Sequence, residues 1–315
     1  MLSYSVAKPQ DKASELLSRQ LRADLALALV AMIWGATFVV VKNELANIGP
    51  LAFVTLRFAV AFLVMALLAR HSLARVDRSQ LLAGLLIGTF LFSGYALQTV
   101  GLRYTTASKA AFITGLSVVL APLFARLLLG QSPSLLAAVG VALAAVGLGL
   151  LSLADDLTPA IGDLLVLGCA ASFALHIVTI SRFAPKMDTT TLAAVQIGVV
   201  PVAAAVTTGL LEPLPATIGA GTLGVAALMG IVATAFAFTV QTKAQAFTTP
   251  THTALVLSLE PVFGALFAYL LAGETMGPRQ ILGCALILLG MVAAEIKREE
   301  LGIGERVLPP SRSRV

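Results

Sequence analysis

The chain has 315 residues, of which 58% are hydrophobic and 12% are charged, and its mean hydropathy is +0.94. Soluble domains carry about a quarter charged residues, so water cannot be the main solvent of this chain. Its hydrophobicity excludes disorder, and two cysteines exclude a disulfide scaffold. The net charge of +5 comes from basic residues scattered between apolar segments, so nucleic acid is not an expected partner. We therefore expect an integral membrane protein surrounded by the lipid bilayer.

Apolar segments of membrane-crossing length recur along the chain. About 20 helical residues are needed to cross a hydrocarbon core about 30 Å thick. Backbone polar groups in lipid must be bonded within their own segment, and the alternating pattern of a barrel is missing, so α-helices are predicted. The fold class is thus an all-α integral membrane protein with ten transmembrane helices. They are predicted at residues 24–42, 51–69, 81–102, 107–129, 135–153, 162–183, 191–211, 223–246, 251–272 and 280–296.

Basic residues are distributed unequally between the connections. If the amino terminus is cytoplasmic, the inner connections and tails hold 16 Lys and Arg and the outer connections hold 4. Cytoplasmic loops carry the excess of basic residues, so we expect both termini in the cytoplasm. The predicted organisation is a tail at 1–23, a first repeat at 24–153, a second repeat at 162–296 and a tail at 297–315. The first segment ends in Lys42 without a small-residue cleavage site, so it is not expected to be a signal peptide.

The two halves of the chain repeat each other. Early in each half, a constant difference in residue number pairs Trp34 with Phe173, Thr37 with His176 and Arg57 with Gln196; we call this the first offset. Later in each half, a slightly larger difference, the second offset, pairs Gln98 with Gln241, Tyr104 with Phe247, Gly130 with Gly273, Gly140 with Gly283 and Gly147 with Gly290. Each repeat has five spans, an odd number, so the second copy must enter the membrane from the opposite side. Inverted repeats of this kind are typical of secondary transporters, although duplicated packing units are an alternative.

Several short motifs resemble the drug/metabolite transporter superfamily, in its ten-helix EamA-like branch. They cover most of the chain from residue 24 to 296. The motifs are the run from Trp34 to Lys42, Leu56-Arg57-Phe58, the run from Gly101 to Ser108, Leu257-Ser-Leu-Glu-Pro-Val262 and Gly273-Glu274. One departure is Gly130-Gln131, where the family commonly has Gly-Glu, so an acidic role at the end of the first repeat is in doubt.

The resemblance implies an inner-membrane carrier with a central cavity between the halves. Members are reported to move amino acids, other metabolites or toxic compounds, frequently outward. We therefore expect a secondary active transporter that exports small metabolites such as amino acids, without a cofactor, as a monomer or weak dimer. A multidrug or phosphorylated-sugar carrier is one alternative, and a membrane enzyme or a non-transporting subunit is another. The spans contain no clustered acids, bases or metal ligands, so an enzyme is not favoured.

Two charged residues lie inside predicted spans. Glu260 is nine residues into the ninth segment and is followed by Pro261, which removes a backbone donor. A carboxylate at that depth costs about 2.5 to 3.5 kcal/mol on insertion scales, so it should face the bundle interior. It could bind a proton or cation for coupling, or it could satisfy the backbone beside the proline. Arg57 could bind an anionic substrate group, pair with Glu260 or extend to the outer interface.

Other polar and aromatic side chains in the spans could form a substrate pathway. Trp34 and Thr37 lie one turn apart in mid-span, Tyr95 and Gln98 share a helix face, and Phe238 and Gln241 share another. Core packing and interhelical hydrogen bonds are the alternatives. The predicted pathway residues are Trp34, Thr37, Arg57, Tyr95, Gln98, Ser117, His176, Phe238 and Gln241, with Glu260 as the possible coupling carboxylate.

Overall fold

Each of the ten apolar segments is helical in the computed structural model, which describes residues 9–152, 160–213, 217–272 and 276–301. No strand occurs among these residues. In the first half the helices are α1 (Pro9–Gly35), α2 (Thr37–Glu44), α3 (Pro50–Leu68), α4 (Arg70–Leu73), α5 (Arg78–Gly101), α6 (Ala107–Gly115), α7 (Ser117–Leu129) and α8 (Leu135–Ser152). In the second half they are α9 (Ile161–Phe183), α10 (Thr189–Leu211), α11 (Ala220–Leu228), α12 (Ala237–Ala244), α13 (Pro250–Leu257), α14 (Glu260–Ala272) and α15 (Pro278–Leu301).

Several segments predicted as continuous helices are interrupted. The first segment breaks between α1 and α2, the fourth between α6 and α7, and the ninth between α13 and α14. In the eighth segment a π-helical stretch, Met229–Phe236, separates α11 from α12. Pro261 explains the ninth break, because a proline in the first turn of a new helix needs no backbone donor there. The prediction of unbroken spans is corrected in the first, fourth and eighth segments, whereas Pro261 had already indicated a weakened helix in the ninth.

Seven of the described helices are long and apolar enough to cross a membrane. The fifth and tenth segments contain shorter apolar helices, Leu135–Leu151 and Pro278–Ala294, and the ninth consists of two short helices. The chain is therefore an all-helical, multi-pass membrane protein, whereas the number of ten crossings stays a prediction. The seven spans are Arg19–Glu44, Pro50–Leu68, Arg78–Gly101, Lys109–Leu129, Ile161–Lys186, Thr189–Leu211 and Ala220–Phe247.

The helices of one repeat pack mainly against helices of the other. α1 lies against α12, α13 and α14 of the second half, and α9 lies against α5, α6 and α7 of the first. α1 and α9 are the first spans of their repeats, and each packs on the third and fourth spans of the other repeat. α3 likewise packs on α10, and α8 packs on α15. The interior between the halves is thus built from equivalent helices of both repeats.

Reciprocal glycine contacts join α8 to α15. A Cβ added to Gly140 would collide with the carbonyl oxygen of Gly290, and one added to Gly290 would lie 2.5 Å from that of Gly140. Gly147 and Gly283 have the same relation, with distances of 2.6 and 2.7 Å. Because the lower-numbered residue of each helix faces the higher-numbered residue of the other, the two helices are antiparallel. Glycine permits this close backbone approach, as in other apolar helix pairs.

Adding one methyl group at the α8–α15 contact is expected to destabilise the protein. In Gly140→Ala the new Cβ has only backbone to displace, and such overpacking costs about 1 to 3 kcal/mol. Thermal unfolding in detergent should give a lower midpoint for this variant. Gly209→Ala is the matched control, because a Cβ at Gly209 would meet nothing within 4 Å. Equal midpoints for the two variants would contradict the close contact.

Two ends of the bundle can be distinguished. We call the end where α1, α5, α10 and α13 begin the N-terminal end, and the end where α3, α6 and α9 begin the distal end. At the distal end the Glu212 carboxylate accepts hydrogen bonds from the backbone N–H groups of Leu51 and Ala52, at 2.9 and 3.1 Å. It therefore caps α3, and it does so from the far end of α10, in the other repeat.

At the N-terminal end, Asp188 caps α10. Its carboxylate accepts from the Thr191 backbone N–H at 2.8 Å and from the Thr191 hydroxyl at 2.6 Å. Partial burial opposes ionisation, but these hydrogen bonds and others from Thr190 and Ser72 outweigh it, so the pKa of Asp188 lies below its ordinary value. Ser72 lies in α4, so a carboxylate connects α10 to α4 at this end of the bundle and to α3 at the other.

Candidate functional site

A cavity lies between the two halves of the bundle. Its lining comes from α1, α2, α3, α5, α6 and α7 of the first half and from α9, α12, α13 and α14 of the second. All ten residues singled out from the sequence contribute to this lining, although their role in transport stays a prediction. They are Trp34, Thr37, Arg57, Tyr95, Gln98, Ser117, His176, Phe238, Gln241 and Glu260.

Arg57 is fixed inside the bundle. Its side chain is 3% exposed, and Nε donates to the Thr234 hydroxyl at 2.7 Å. Nη2 donates to the Ala233 carbonyl at 3.1 Å and to the Tyr95 hydroxyl at 3.3 Å. The guanidinium thus lies within the cavity wall and does not extend to the outer interface. These bonds leave part of its five-donor fork available to an anionic group in the cavity.

The π-helical stretch of the eighth segment holds Arg57 and Trp34 in place. The Trp34 indole Nε1 donates to the Ala233 carbonyl at 2.8 Å, so this oxygen accepts from both side chains. The Thr234 hydroxyl donates back to the Met229 carbonyl, five residues earlier, at 3.0 Å. Irregular turns of this kind are frequent at functional sites because they redirect backbone groups. Here they fix an aromatic and a cationic side chain of the first repeat from the second.

Glu260 and Arg57, an acidic and a basic residue, lie in the same cavity wall without direct contact. Among the described residues no ion pair within 4.0 Å joins them, and the Glu260 carboxylate makes no hydrogen bond there. The Arg57 guanidinium still acts electrostatically on the Glu260 carboxyl group at a distance. A ligand with a cationic group near Glu260 and an anionic group near Arg57 would complement both charges.

Aromatic rings form the wall beside the charges. Trp34 and Phe238 have ring centroids 5.0 Å apart, and Tyr95 lies 5.5 Å from Phe173 and 6.0 Å from Phe238 in edge-to-face arrangements. The His176 ring meets Phe238 edge-on at 5.7 Å. Phe238 is therefore at the centre of a cluster contributed by both repeats. Rings in such arrangements give a rigid apolar surface to a bound molecule.

A buried hydrogen-bond chain runs from His176 towards the eighth segment. His176 Nε2 and Gln196 Oε1 are 2.7 Å apart, and Gln196 Nε2 donates to the Thr242 hydroxyl at 2.8 Å. All three side chains are buried. Gln98 is held less tightly, by donating to the Thr114 hydroxyl at 3.2 Å. Gln196 is the equivalent of Arg57 under the first offset, so these two equivalent residues have different hydrogen-bond partners.

Glu260 and Ser117 occupy equivalent places in the two repeats. The second offset relates them, and each is the first residue after the break in its segment, at the start of α14 and of α7. Gly35 lies against the α14 start, where an added Cβ would be 2.5 Å from the Glu260 carbonyl oxygen. The repeat thus places one hydroxyl and one carboxylate at matching positions on the cavity wall.

The lining also contains residues that were not predicted, among them Phe173 and Thr114. Phe173 is the repeat equivalent of Trp34, so the first offset could have indicated it. Thr114 lies three residues before Ser117 on the same span, which is also a sequence signal. Gly273-Glu274 and the Asp155–Asp156 connection fall outside the described residues.

Groups that could hold a metal ion are not assembled in the described part of the chain. No three His, Cys, Asp or Glu side chains lie together there. The cavity contains one carboxylate, one guanidinium and one imidazole among apolar and neutral polar groups. This arrangement can bind a dipolar molecule, and it offers no pair of carboxylates for acid–base chemistry.

Comparisons with known proteins indicate the family. The EamA-like transporter family matches the chain twice, at residues 21–153 and 160–294. An uncharacterized transporter of Archaeoglobus fulgidus is 37% identical over 284 residues, covering 89% of this chain and 87% of its own length. The uncharacterized transporter YvbV of Bacillus subtilis is 31% identical over 185 residues, covering 56% of this chain and 59% of its own length. A solved crystal structure shares the fold, with a TM-score of 0.74 at 20% identity, covering 89% of this chain and 98% of that one. The chain therefore belongs to the EamA-like transporter family.

Proposed function

We propose that the protein is a secondary active transporter of the inner membrane that exports small zwitterionic metabolites such as amino acids by alternating access. One observation carries this proposal: Arg57 and Glu260, a basic and an acidic side chain that can carry opposite charges, line one cavity wall without pairing directly. An α-amino acid has a carboxylate and an ammonium group that match these two charges. The aromatic rings of Trp34, Tyr95 and Phe238 then receive its side chain.

The alternatives within transport fit the cavity less well. Binding a phosphorylated sugar usually takes more than one cation, and Arg57 is the one Lys or Arg side chain in the described lining. A multidrug carrier of hydrophobic cations could use Glu260 and the aromatic rings, but it would leave the buried Arg57 charge without a function. A membrane enzyme or a non-transporting subunit has no assembled catalytic group or docking feature in its favour among the described residues.

Ligand binding can be screened first. The purified protein should be more stable to heat with a substrate, because a ligand of the folded form raises its apparent stability. We expect amino acids to raise the unfolding midpoint and sugar phosphates and cationic dyes to leave it unchanged. A shift with a sugar phosphate alone would reverse the assignment.

Transport of the ligands found in this way can be tested by counterflow in proteoliposomes. Vesicles loaded with an unlabelled amino acid should accumulate the labelled compound transiently, without any ion gradient, so the coupling ion need not be known. Empty liposomes are the background control, and Arg75→Gln, at an exposed basic residue, is the matched protein control. Absence of counterflow for every compound that stabilises the protein would reject the carrier function.

The membrane topology is part of the same proposal. We propose ten crossings in two inverted five-helix repeats, with both termini cytoplasmic and the protein acting as a monomer or weak dimer. The antiparallel α8–α15 contact and the exchanged packing of α1 and α9 support the inversion. The excess of basic residues on the amino-terminal side, 16 against 4, supports the orientation. On this topology the N-terminal end of the bundle faces the cytoplasm.

Reporter fusions test the orientation and the number of crossings together. A reporter fused at Asp24 should be cytoplasmic, one in the Asp155–Asp156 connection should be external, and one after residue 296 should be cytoplasmic. The external result at the middle position requires an odd number of crossings in the first half, as five spans give. A carboxy terminus outside the cell would contradict both the orientation and the even number of spans.

A further inference from the structure

A carboxylate and an imidazole from different repeats meet at the N-terminal end of the bundle. Asp24 Oδ1 and His252 Nε2 are 2.9 Å apart, and the side chains are 16% and 6% exposed. Asp24 belongs to α1 and His252 to α13, so the pair connects the two repeats. Both helices also line the cavity, through Trp34 and through Ala254. Separating these two helix ends would open a route from the cavity to the N-terminal end.

The repeat gives this pair a counterpart at the distal end. The first offset takes Asp24 to Asp163, and the second offset takes His252 back to Lys109. Asp163 is in the first turn of α9 and Lys109 in the first turn of α6, so this second pair also connects the two repeats. The Lys109 charge acts on the Asp163 carboxylate. At each end, therefore, an acidic residue on the first span of one repeat lies opposite a basic residue on the fourth span of the other repeat.

The two ends differ in how tightly the surrounding residues are packed. Towards the N-terminal end, His176, Gln241 and Ala254 are 2%, 1% and 3% exposed. Their repeat equivalents towards the distal end are Thr37, Gln98 and Ala111, and each is only partly buried. Lining residues also extend towards the distal end at Val41 and Leu102. The bundle is thus closed at its N-terminal end and less tightly packed at its distal end.

The distal-end carboxylate has different partners from its counterpart. Asp163 accepts hydrogen bonds from the Thr105 hydroxyl at 2.5 Å and from the Ala160 backbone N–H at 2.9 Å. Lys42 donates to the Thr105 carbonyl at 3.0 Å, so this end is held by contacts of a loop. At the N-terminal end the acidic residue instead contacts the basic residue of the other repeat directly. The end with the direct contact between the acidic and the basic residue is thus also the more tightly packed end.

We propose that Asp24 and His252 form a gate that holds the N-terminal end closed, and that Asp163 and Lys109 form the equivalent gate when the distal end closes. Inverted repeats can exchange conformations, and an exchange would convert the arrangement at one end into that at the other. Each gate requires only that a carboxylate on one helix accept a hydrogen bond from a basic side chain on the helix packed against it, and both pairs provide these two groups. This inference rests on the proposed alternating access, but it concerns residues outside the substrate cavity.

Accessibility of a cavity cysteine tests the gates without measuring transport. The background is Cys169→Ala/Cys284→Ala, and the reporter is Ser117→Cys in the cavity wall. A membrane-impermeant thiol reagent is applied to vesicles of both orientations. Without further change, labelling should be faster from the distal side, because the N-terminal end is closed.

Asp24→Asn should shift labelling to the N-terminal side. We expect the rate from that side to rise by at least about fivefold, the lower end of typical coupling between two states, and the distal rate to fall. Adding Lys109→Gln should reverse this shift, because it weakens the gate that holds the distal end closed. His252→Ala provides a second way to open the N-terminal end if Asp24→Asn does not fold.

The matched control is Asp77→Asn, which removes an exposed carboxylate at the same end of the bundle, away from the cavity. Labelling rates equal to this control in Asp24→Asn and His252→Ala would overturn the N-terminal-end gate. A persistent shift in Asp24→Asn/Lys109→Gln would overturn the distal-end gate. Counterflow is measured in the parent protein, which retains Ser117. Shifted labelling together with absence of counterflow in the parent would retain the gates and reject the proposed function, whereas counterflow in the parent without any shift in labelling would retain the function and reject the gates.

Discussion

Replacing Arg57 with glutamine is expected to weaken substrate binding by about 10- to 100-fold, which corresponds to the loss of one hydrogen bond between charged groups. The guanidinium is the cation that would face the substrate carboxylate, and glutamine offers neither its charge nor its fork. Arg57→Lys should recover only part of the affinity, because an ammonium group cannot contact Thr234, Tyr95 and a ligand with the same planar geometry. Ligand titration followed by thermal unfolding measures the change.

The Arg57 result has to be separated from loss of folding. Arg57 also connects α3 to the eighth segment, so the variant should have a lower unfolding midpoint without ligand. The binding effect is the difference between the shifts that ligand produces in the variant and in the parent. Arg75→Gln, at an exposed position, should change neither quantity. Unchanged affinity in a folded Arg57→Gln protein would contradict a substrate-binding role.

Replacing Glu260 with glutamine is expected to abolish the dependence of transport on a pH gradient. Glutamine has nearly the same shape and keeps one acceptor, but it cannot take and release a proton. The carboxylate makes no hydrogen bond to the described residues and faces the cavity, which suits a group that alternates between proton and substrate. At saturating substrate, counterflow should persist in the variant, because glutamine keeps one acceptor for the ammonium group even though binding is weaker. Uptake driven by a pH gradient in proteoliposomes should instead fall to the level without a gradient.

Glu212→Gln provides the same chemical change outside the cavity. Glu212 caps α3 at the distal end, so its replacement should lower the unfolding midpoint. Uptake by this variant should still increase when a pH gradient is applied. If uptake by Glu260→Gln stays dependent on the pH gradient, Glu260 does not carry the coupling proton. The carboxylate would then serve the start of α14, where Pro261 removes a backbone donor.

The sequence by itself determined the membrane environment, the helical fold and the repeat. These properties depend on composition, on the length of apolar segments and on residues recurring at fixed offsets, none of which needs a folded chain to be recognised. Mid-span polar residues were informative for a similar reason: lipid disfavours them strongly, so residues such as Arg57 and Glu260 had to face the interior. This is why the residues singled out in the sequence all lie around one cavity.

Only the tertiary structure decided which groups contact each other and where the helices break. The partners of Arg57 lie on distant helices of both repeats, and the Asp24–His252 contact joins opposite ends of the sequence, so no local pattern could reveal them. No proline marks the break between α6 and α7 in the fourth span or the π-helical stretch in the eighth, so neither irregularity had a local signal of this kind in the sequence. Which end of the bundle is closed is likewise absent from the sequence, because two related repeats have nearly equivalent surfaces and only their assembled contacts distinguish one end from the other.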